Sequence, residues 1–336
     1  MINSVKPNLI ISDSRGAWFR ATILFILALI GTVGMWSVVV FIPDIEKEFG
    51  LDRGTSSLLY AFTMIGFGFG TVIIGKFYDK FGIKKPILLA TFVLITSYYF
   101  YSIFPFYWQF LILQFFMGFA ASAFFGPAMA DISNFFNKQR GFALSIVASA
   151  NYVAGATWPL LIGYFLTFID WRAAHFWISI CLFIMIPLIL LLKNASVDES
   201  KSHDMKQRYK DIRLDLSNNQ IQVLLMLAGI CCCVAMAMPQ VHMVALCVDN
   251  GFGLQVGTEI LAVMLYSGMI SRIVFGMISD RIGPVLTLLL GSFLQMVSLT
   301  FFLPFSSEIS LYVVSLMFGL SQGCLLYTSD AADDMF

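Results

Sequence analysis

Charge is scarce in this chain. Only 12% of its 336 residues are Asp, Glu, Lys or Arg, about half of the roughly 25% that a soluble domain carries. With 59% hydrophobic residues and a mean hydropathy of +0.85, there is too little polar sequence to coat a water-soluble core of this length. Histidine is rarer still, with three in all. The apolar portion holds no Ser/His/Asp arrangement, no metal-ligand cluster and no paired carboxylates, so neither enzyme chemistry nor a metal or other cofactor is expected. The formal charges cancel to zero and no face collects the cations, which excludes the basic patch that nucleic-acid binding needs. Cys181, Cys231, Cys232, Cys233, Cys247 and Cys324 lie in or beside apolar runs and imply no disulfide framework. The three consecutive ones point around a helix and cannot converge on one ion.

Long apolar sequence, by contrast, is abundant. A helix needs about 20 apolar residues at ~1.5 Å each to cross a hydrocarbon core of about 30 Å. On that ruler ten spans are predicted, at 21–42, 56–75, 86–104, 108–130, 141–168, 173–192, 221–248, 256–278, 285–303 and 309–326. Six precede a polar stretch at 193–219 and four follow it, so the expectation is an all-α integral membrane protein with a solvated connection between two groups of helices. Cytoplasmic loops retain Lys and Arg. With the N-terminus inside, sixteen of the twenty cations fall in inside segments, Lys47, Arg53 and Arg172 face outward, and Arg272 lies within an apolar run. The chain is therefore expected to be a multi-pass protein of the plasma (inner) membrane with a cytoplasmic N-terminus. The first run lacks a small-residue cleavage site and reads as a retained helix, not a signal peptide.

Gly66, Gly68, Gly70, Gly118, Gly126, Gly155 and Gly163 crowd the spans. No strand precedes the Gly66-x-Gly68-x-Gly70 run, so close helix packing is expected rather than a phosphate loop. Pro127, Pro159 and Pro239 are expected to interrupt their helices next to a cavity. Arg272 sits about ten ångströms inside its helix end, on a stripe with Gly268 and Gly276. Its side chain either snorkels to the headgroups or serves as a fixed cation in a watery cavity, where its fork suits a carboxylate. Asp131 and Glu259 are expected to be solvated helix ends. Trp36, Tyr60, Phe124, Phe125, Asn151, Tyr152, Trp158, Gln240 and His242 are the polar and aromatic candidates for shaping a site, with packing as the alternative for each.

The basic loop Gly75-Lys76-Phe77-Tyr78-Asp79-Lys80-Phe81-Gly82 recurs in its offsets at Gly276-Met277-Ile278-Ser279-Asp280-Arg281-Ile282-Gly283. An internal repeat on this scale is how many transporters are built. Gly-x-x-x-Asp-(Arg/Lys)-x-Gly after a second helix and again after an eighth resembles the signature loop of the major facilitator superfamily. That resemblance implies two six-helix, inverted-repeat halves that rock about a central site. It makes Gly75, Asp79, Lys80 and Gly82, with Gly276, Asp280, Arg281 and Gly283, gating residues at the cytoplasmic face. Anchoring of topology by positive charge is the plainer role for the same cations.

Gly31 with Trp36-Ser37-Val38, Ala123-Phe124-Phe125-Gly126, Phe135-Phe136-x-Lys138-x-Arg140-Gly141-x-Ala143 and Arg272-x-x-x-Gly276 are similar to the oxalate/formate antiporter and monocarboxylate transporter branches. There the eighth-helix arginine binds the substrate carboxylate, which implies that role for Arg272, with Phe125 and Tyr152 lining the pocket. The substrate-binding set is then Arg272, Trp36, Phe125, Tyr152, Asn151 and His242. The chain departs from those branches at Gly268, where proton-coupled porters carry an acid. It departs again at Arg15-Gly16-Ala17-Trp18, in place of an acidic entry motif, and at Gln114, in place of a fourth-helix arginine.

The end of the chain, 324–336, is abruptly acidic and resembles a translated sequencing adapter. The expected organisation is thus a first half at 1–192, a cytoplasmic linker at 193–219, a second half reduced to four helices at 220–323, and a non-native tail. The expected function is secondary active transport of a small organic anion, a monocarboxylate or short dicarboxylate, by a monomer in the lipid bilayer. The alternatives are efflux of amphipathic or drug-like compounds and, in another class, a membrane receptor or scaffold, which would need an added soluble domain.

Overall fold

The computed structural model describes residues 13–136, 140–192, 218–282, 284–303 and 307–322. Among the described residues every regular element is a helix, and each of the ten predicted spans coincides with one helix or with two in series. The first span is α1 (Arg15–Gly31) followed by α2 (Val33–Phe49). The second and third are α3 (Arg53–Phe81) and α4 (Lys84–Ile103). The fourth is α5 (Tyr107–Ala121), a tight 3-10 turn at Ser122–Phe124, and α6 (Gly126–Ser133). The fifth is α7 (Arg140–Phe165), and the sixth is α8 (Trp171–Cys181) leading through another 3-10 turn into α9 (Met185–Leu191). Then come α10 (Asn218–Asp249), α11 (Leu254–Ile282), α12 (Pro284–Thr300) and α13 (Glu308–Ser321). Among the described residues seven stretches are long and apolar enough to cross a membrane, and Cys233–Asp249, Leu286–Thr300 and Glu308–Ser321 are shorter apolar helices.

Local sequence starts and stops these helices. Ser14, Asp52, Asp170 and Ser307 accept hydrogen bonds from the amides of Ala17, Thr55, Ala173 and Ser310, satisfying donors that a first helical turn leaves open. Gly50 and Gly82 close α2 and α3 at φ +62° and +71°, a region that other residues enter at a cost. Pro159 and Pro239 do not interrupt their helices as expected: α7 and α10 run through them. Pro127 sits in the first turn of α6, where a missing N–H costs nothing. The first and fourth spans break instead at Thr32 and at Ser122–Phe124, and these breaks touch, because a side chain on Gly31 would strike the Phe124 ring. At Thr32 the hydroxyl donates to the Ala28 carbonyl at 2.7 Å, satisfying that group locally.

The chain forms two compact units, one of Met1–Ala195 with Met243–Ala262 and one of Ser196–His242 with Val263–Phe336. In the first, α3 and α5 approach until their backbones touch. A Cβ on Gly118 would run into the Thr63 carbonyl, one on Gly66 into the Phe115 carbonyl, and one on Gly70 into that of Phe119. Gln114, fully buried in α5, accepts from the Thr63 hydroxyl at 2.8 Å and donates to the Tyr101 hydroxyl at 3.4 Å, tying α3, α4 and α5 together. Beside it Phe110, Tyr101 and His175 stack ring on ring at 4.4 and 4.3 Å, Phe41 lies tilted against His175 at 4.1 Å, and Nδ1 of His175 donates to the Trp171 carbonyl.

The second unit repeats the backbone contact. A Cβ on Gly319 of α13 would run into the Met264 carbonyl of α11, and the Ser271 hydroxyl donates to the Leu320 carbonyl at 2.6 Å. One constant sequence offset separates Gly118 from Gly319, Thr63 from Met264, Gly70 from Ser271, Phe119 from Leu320 and Gly75 from Gly276. The duplication read from the loops is therefore also a duplication of packing.

Gly118→Ala and Gly319→Ala are each expected to destabilise the protein by about 1–3 kcal/mol through forced backbone shifts, read as thermal unfolding in detergent. Gly68→Ala, with nothing within 4 Å of its added carbon, should be neutral or stabilising by up to ~1 kcal/mol.

Candidate functional site

In the first unit, α2 and α7 bring two of the predicted site residues together. The Trp36 indole N–H donates to Oδ1 of Asn151 at 3.0 Å. Trp36 is buried in a run of α2 that is buried throughout from Val33 to Ile42, whereas Asn151 stays partly open. Tyr152 follows it, buried. Two turns further along α7, the Trp158 indole donates to the Leu29 carbonyl at 2.9 Å, pinning α7 to α1. Phe125 lies where the 3-10 turn meets α6, with φ −111° and ψ −80°, and its ring is 6.3 Å from that of Phe67.

In the second unit Arg272 is 7% exposed on α11, on an apolar stretch, and His242 is exposed on α10. Gln240, one of the polar candidates, donates to Oε1 of Gln322 at 2.9 Å, both buried.

The first signature loop is the end of a helix. Gly75, Asp79 and Lys80 occupy the last two turns of α3, with Asp79 and Lys80 exposed. Gly82 is required by its left-handed backbone, from which its N–H caps the Tyr78 carbonyl at 2.7 Å. Lys80 and Lys85 both approach the face of Phe81, at 5.3 and 4.6 Å from its centroid, a favourable placement for a cation. Gly276, Asp280 and Arg281 lie on the α11 backbone, their side chains outside the description, and Gly283 lies outside the described residues, as do 193–217 of the expected linker and the whole expected tail, 324–336.

Two charged residues depart from their expected places. Asp131 is not a solvated helix end, and Arg20 is not a loop cation. Arg20 reaches from α1 to α6, with Nε at 2.5 Å and Nη2 at 2.9 Å from the two Asp131 oxygens. The side chains are only 4% and 7% exposed. The guanidinium also lies 4.7 Å over the Phe135 ring. A fork-on-carboxylate geometry is what lets two charges share a site shielded from water. The available sequence signal was a cation at one edge of an apolar run and an acid at the same edge of another. Glu259, by contrast, accepts from Gln255 one turn away on the exposed start of α11.

At the opposite end of the first unit, the three predicted outward cations are not equivalent. Arg53 contacts Glu46 at 3.1 Å and Asp249 at 2.8 Å, linking α2, α3 and the end of α10, while Glu46 also accepts from the Ser56 hydroxyl. Arg172 joins Glu48 at 2.6 Å and the Phe104 carbonyl at 2.8 Å. In the same connection, the Thr55 hydroxyl and amide hold the Asp52 carboxyl below its ordinary range. Cys247 is buried two residues before Asp249. There α10 and α11 pack closely, since a Cβ on Gly257 would lie 2.9 Å from the Val244 Cα.

These helices, long, apolar and joined by charged ends, define a multi-pass membrane protein. Residues 24–332 match the sequence model of the Major Facilitator Superfamily, and the chain belongs to that superfamily of transporters. It is similar to the MFS-type transporter pynF of Aspergillus niger, 26% identical over 221 residues, covering 64% of this chain and 49% of that protein. It is also similar to the agnestins efflux protein AgnL12 of Paecilomyces divaricatus, 23% identical over 295 residues, 85% of this chain and 66% of the relative. The inner membrane transport protein YnfM of Escherichia coli is 24% identical over 172 residues, 50% of this chain and 41% of that protein. The chain thus spans between about two fifths and two thirds of the length of these relatives.

Asp131→Ala is expected to cost about 3–5 kcal/mol by stranding the Arg20 charge, and Arg20→Met with Asp131→Leu should recover most of it, both read by thermal unfolding in detergent. In a variant whose other cysteines are serine, Arg53→Gln should raise the reactivity of Cys247 toward a maleimide by up to about fivefold, the effect of the ~1 kcal/mol that a half-exposed pair supplies.

Proposed function

We propose that this protein is a secondary transporter of a small organic anion, a monocarboxylate or short dicarboxylate, working as a monomer by alternating access. The observation that carries the anion is Arg272, a guanidinium 7% exposed within an apolar helix. A charge at membrane depth is costly unless it serves a polar site, and the planar fork of arginine matches a carboxylate better than the ammonium of lysine does. Trp36, Asn151 and Tyr152 supply a polar and aromatic lining, and the signature loops at Gly75–Gly82 and Gly276–Gly283 act as gates. In this reading the membrane is the plasma (inner) membrane and the N-terminus is cytoplasmic. The Arg20–Asp131 end of the first unit then faces the cytoplasm, and the Arg53–Asp249 end faces outward.

The second reading is efflux of amphipathic compounds, with Arg272 structural. It is favoured by one relative, the agnestins efflux protein AgnL12, whose similarity covers 85% of this chain.

Counterflow of labelled formate, lactate and oxalate into liposomes, beside extrusion of an amphipathic dye, separates the two. The anion reading expects carboxylate exchange that Arg272→Gln weakens roughly 10- to 100-fold, the value of a lost charge-assisted hydrogen bond of ~1.5–3 kcal/mol, and that Arg272→Lys restores only in part. Dye extrusion without carboxylate exchange, or exchange indifferent to Arg272→Gln, would hand the function to the second reading.

A further inference from the structure

We infer that Asn151 meets the solute as a hydrogen-bond donor, and that Trp36 is the positioning residue that makes it one. This rests on the transport reading above and specifies the chemistry of one contact in it. An indole nitrogen carries a proton and can only donate, so the atom of Asn151 that sits 3.0 Å from it is the amide oxygen. The orientation of an asparagine amide is usually ambiguous, but here the donor-only neighbour removes the ambiguity. With Oδ1 engaged, the group that Asn151 turns away from Trp36 is its NH2, which offers two donors and no acceptor.

Exposure sets Asn151 apart from the apolar side chains that α7 leaves open. Those are Phe142, Leu161, Tyr164 and Phe165, at the two ends of the helix. Asn151 lies in the middle, and its neighbours one turn away in each direction, Val147, Ala148, Ala154 and Gly155, are buried. A partly open amide amid closed neighbours is a polar opening within the helix packing, where an unused donor costs free energy unless water or a solute takes it. Trp36 is itself buried, so it cannot rotate away without repacking α2.

The contact therefore selects a solute that presents oxygen acceptors, a carboxylate above all, and discriminates against one that presents an ammonium or another donor at that point. It is a specificity device independent of net charge. The side chain is neutral, and its selectivity comes from which end of the amide the indole leaves available.

The test is lactate and oxalate counterflow in liposomes for wild type, Asn151→Asp, Asn151→Ala, Trp36→Phe and the double variant Asn151→Ala with Trp36→Phe, with Arg272→Gln alongside. Asn151→Asp keeps the acceptor for Trp36 and replaces the donors by a second oxygen. It should raise KM at least tenfold while the maximal rate stays within about twofold. Trp36→Phe removes the N–H and lets the amide flip. It should raise KM several-fold, and combined with Asn151→Ala it should be no worse than Asn151→Ala alone. An unchanged KM in Asn151→Asp, or losses in Trp36→Phe and Asn151→Ala that add, would overturn the inference. Arg272→Gln abolishing exchange while Asn151→Asp leaves KM alone refutes only the Asn151 contact. If wild type moves a dye and no carboxylate, the anion reading fails. The same variants then decide the contact on an anionic dye, whose KM must rise in Asn151→Asp for the inference to stand.

Discussion

Backbone touching backbone is the constraint on which this protein's architecture depends. In a bilayer, water does not drive one apolar helix onto another, so association has to come from close packing and hydrogen bonds. Gly118 seated on the Thr63 carbonyl and Gly319 seated on that of Met264 supply that closeness once in each unit. Around the first seat the buried amide of Gln114 finds two partners, and the 3-10 turn at Ser122–Phe124 is held against Gly31. Phe125, and with it the start of α6, follows from that turn. The helices that carry the candidate site residues of the first unit are thus placed by glycine contacts.

Charge is paired at both ends of the first unit. Arg20 and Asp131 close one end of the first unit out of water, and Arg53 with Glu46 and Asp249 ties the other end at partial exposure. The two arrangements differ in kind. A shielded fork resists separation because each partner alone would be stranded, while the half-exposed set is worth little in stability and can break and reform. Of the two, the weaker arrangement is the one that can move at low cost.

Much of this was legible in the sequence, for reasons that also explain what was not. Apolar length is a local property, so all ten spans were predictable from hydropathy and each coincides with one helix or with two in series. The duplicated loop at Gly75 and Gly276 foretold the duplicated seat because both descend from one register. The break at Thr32 and the 3-10 turn could not be read, since neither carries a proline and each exists through the other, across nearly a hundred residues. Prolines that looked like interruptions were absorbed, Pro159 and Pro239 within continuous helices and Pro127 in a first turn. Of the candidate site, Trp36 and Asn151 were nominated separately, and only the fold made them a pair with a direction. Asp131 was misjudged because a helix end looks solvated until the partner that covers it, 111 positions away, is known.

The shielded fork has a consequence for energetics in a polarised membrane. A single charge carried through the full field exchanges about 2.3 kcal/mol for every 100 mV, enough to bias a conformational cycle strongly. Arg20 and Asp131 are bound oxygen to nitrogen at 2.5 and 2.9 Å and so travel as a neutral dipole, whatever path their helices take. Translation of this pair carries no net charge through the field and so adds no such bias.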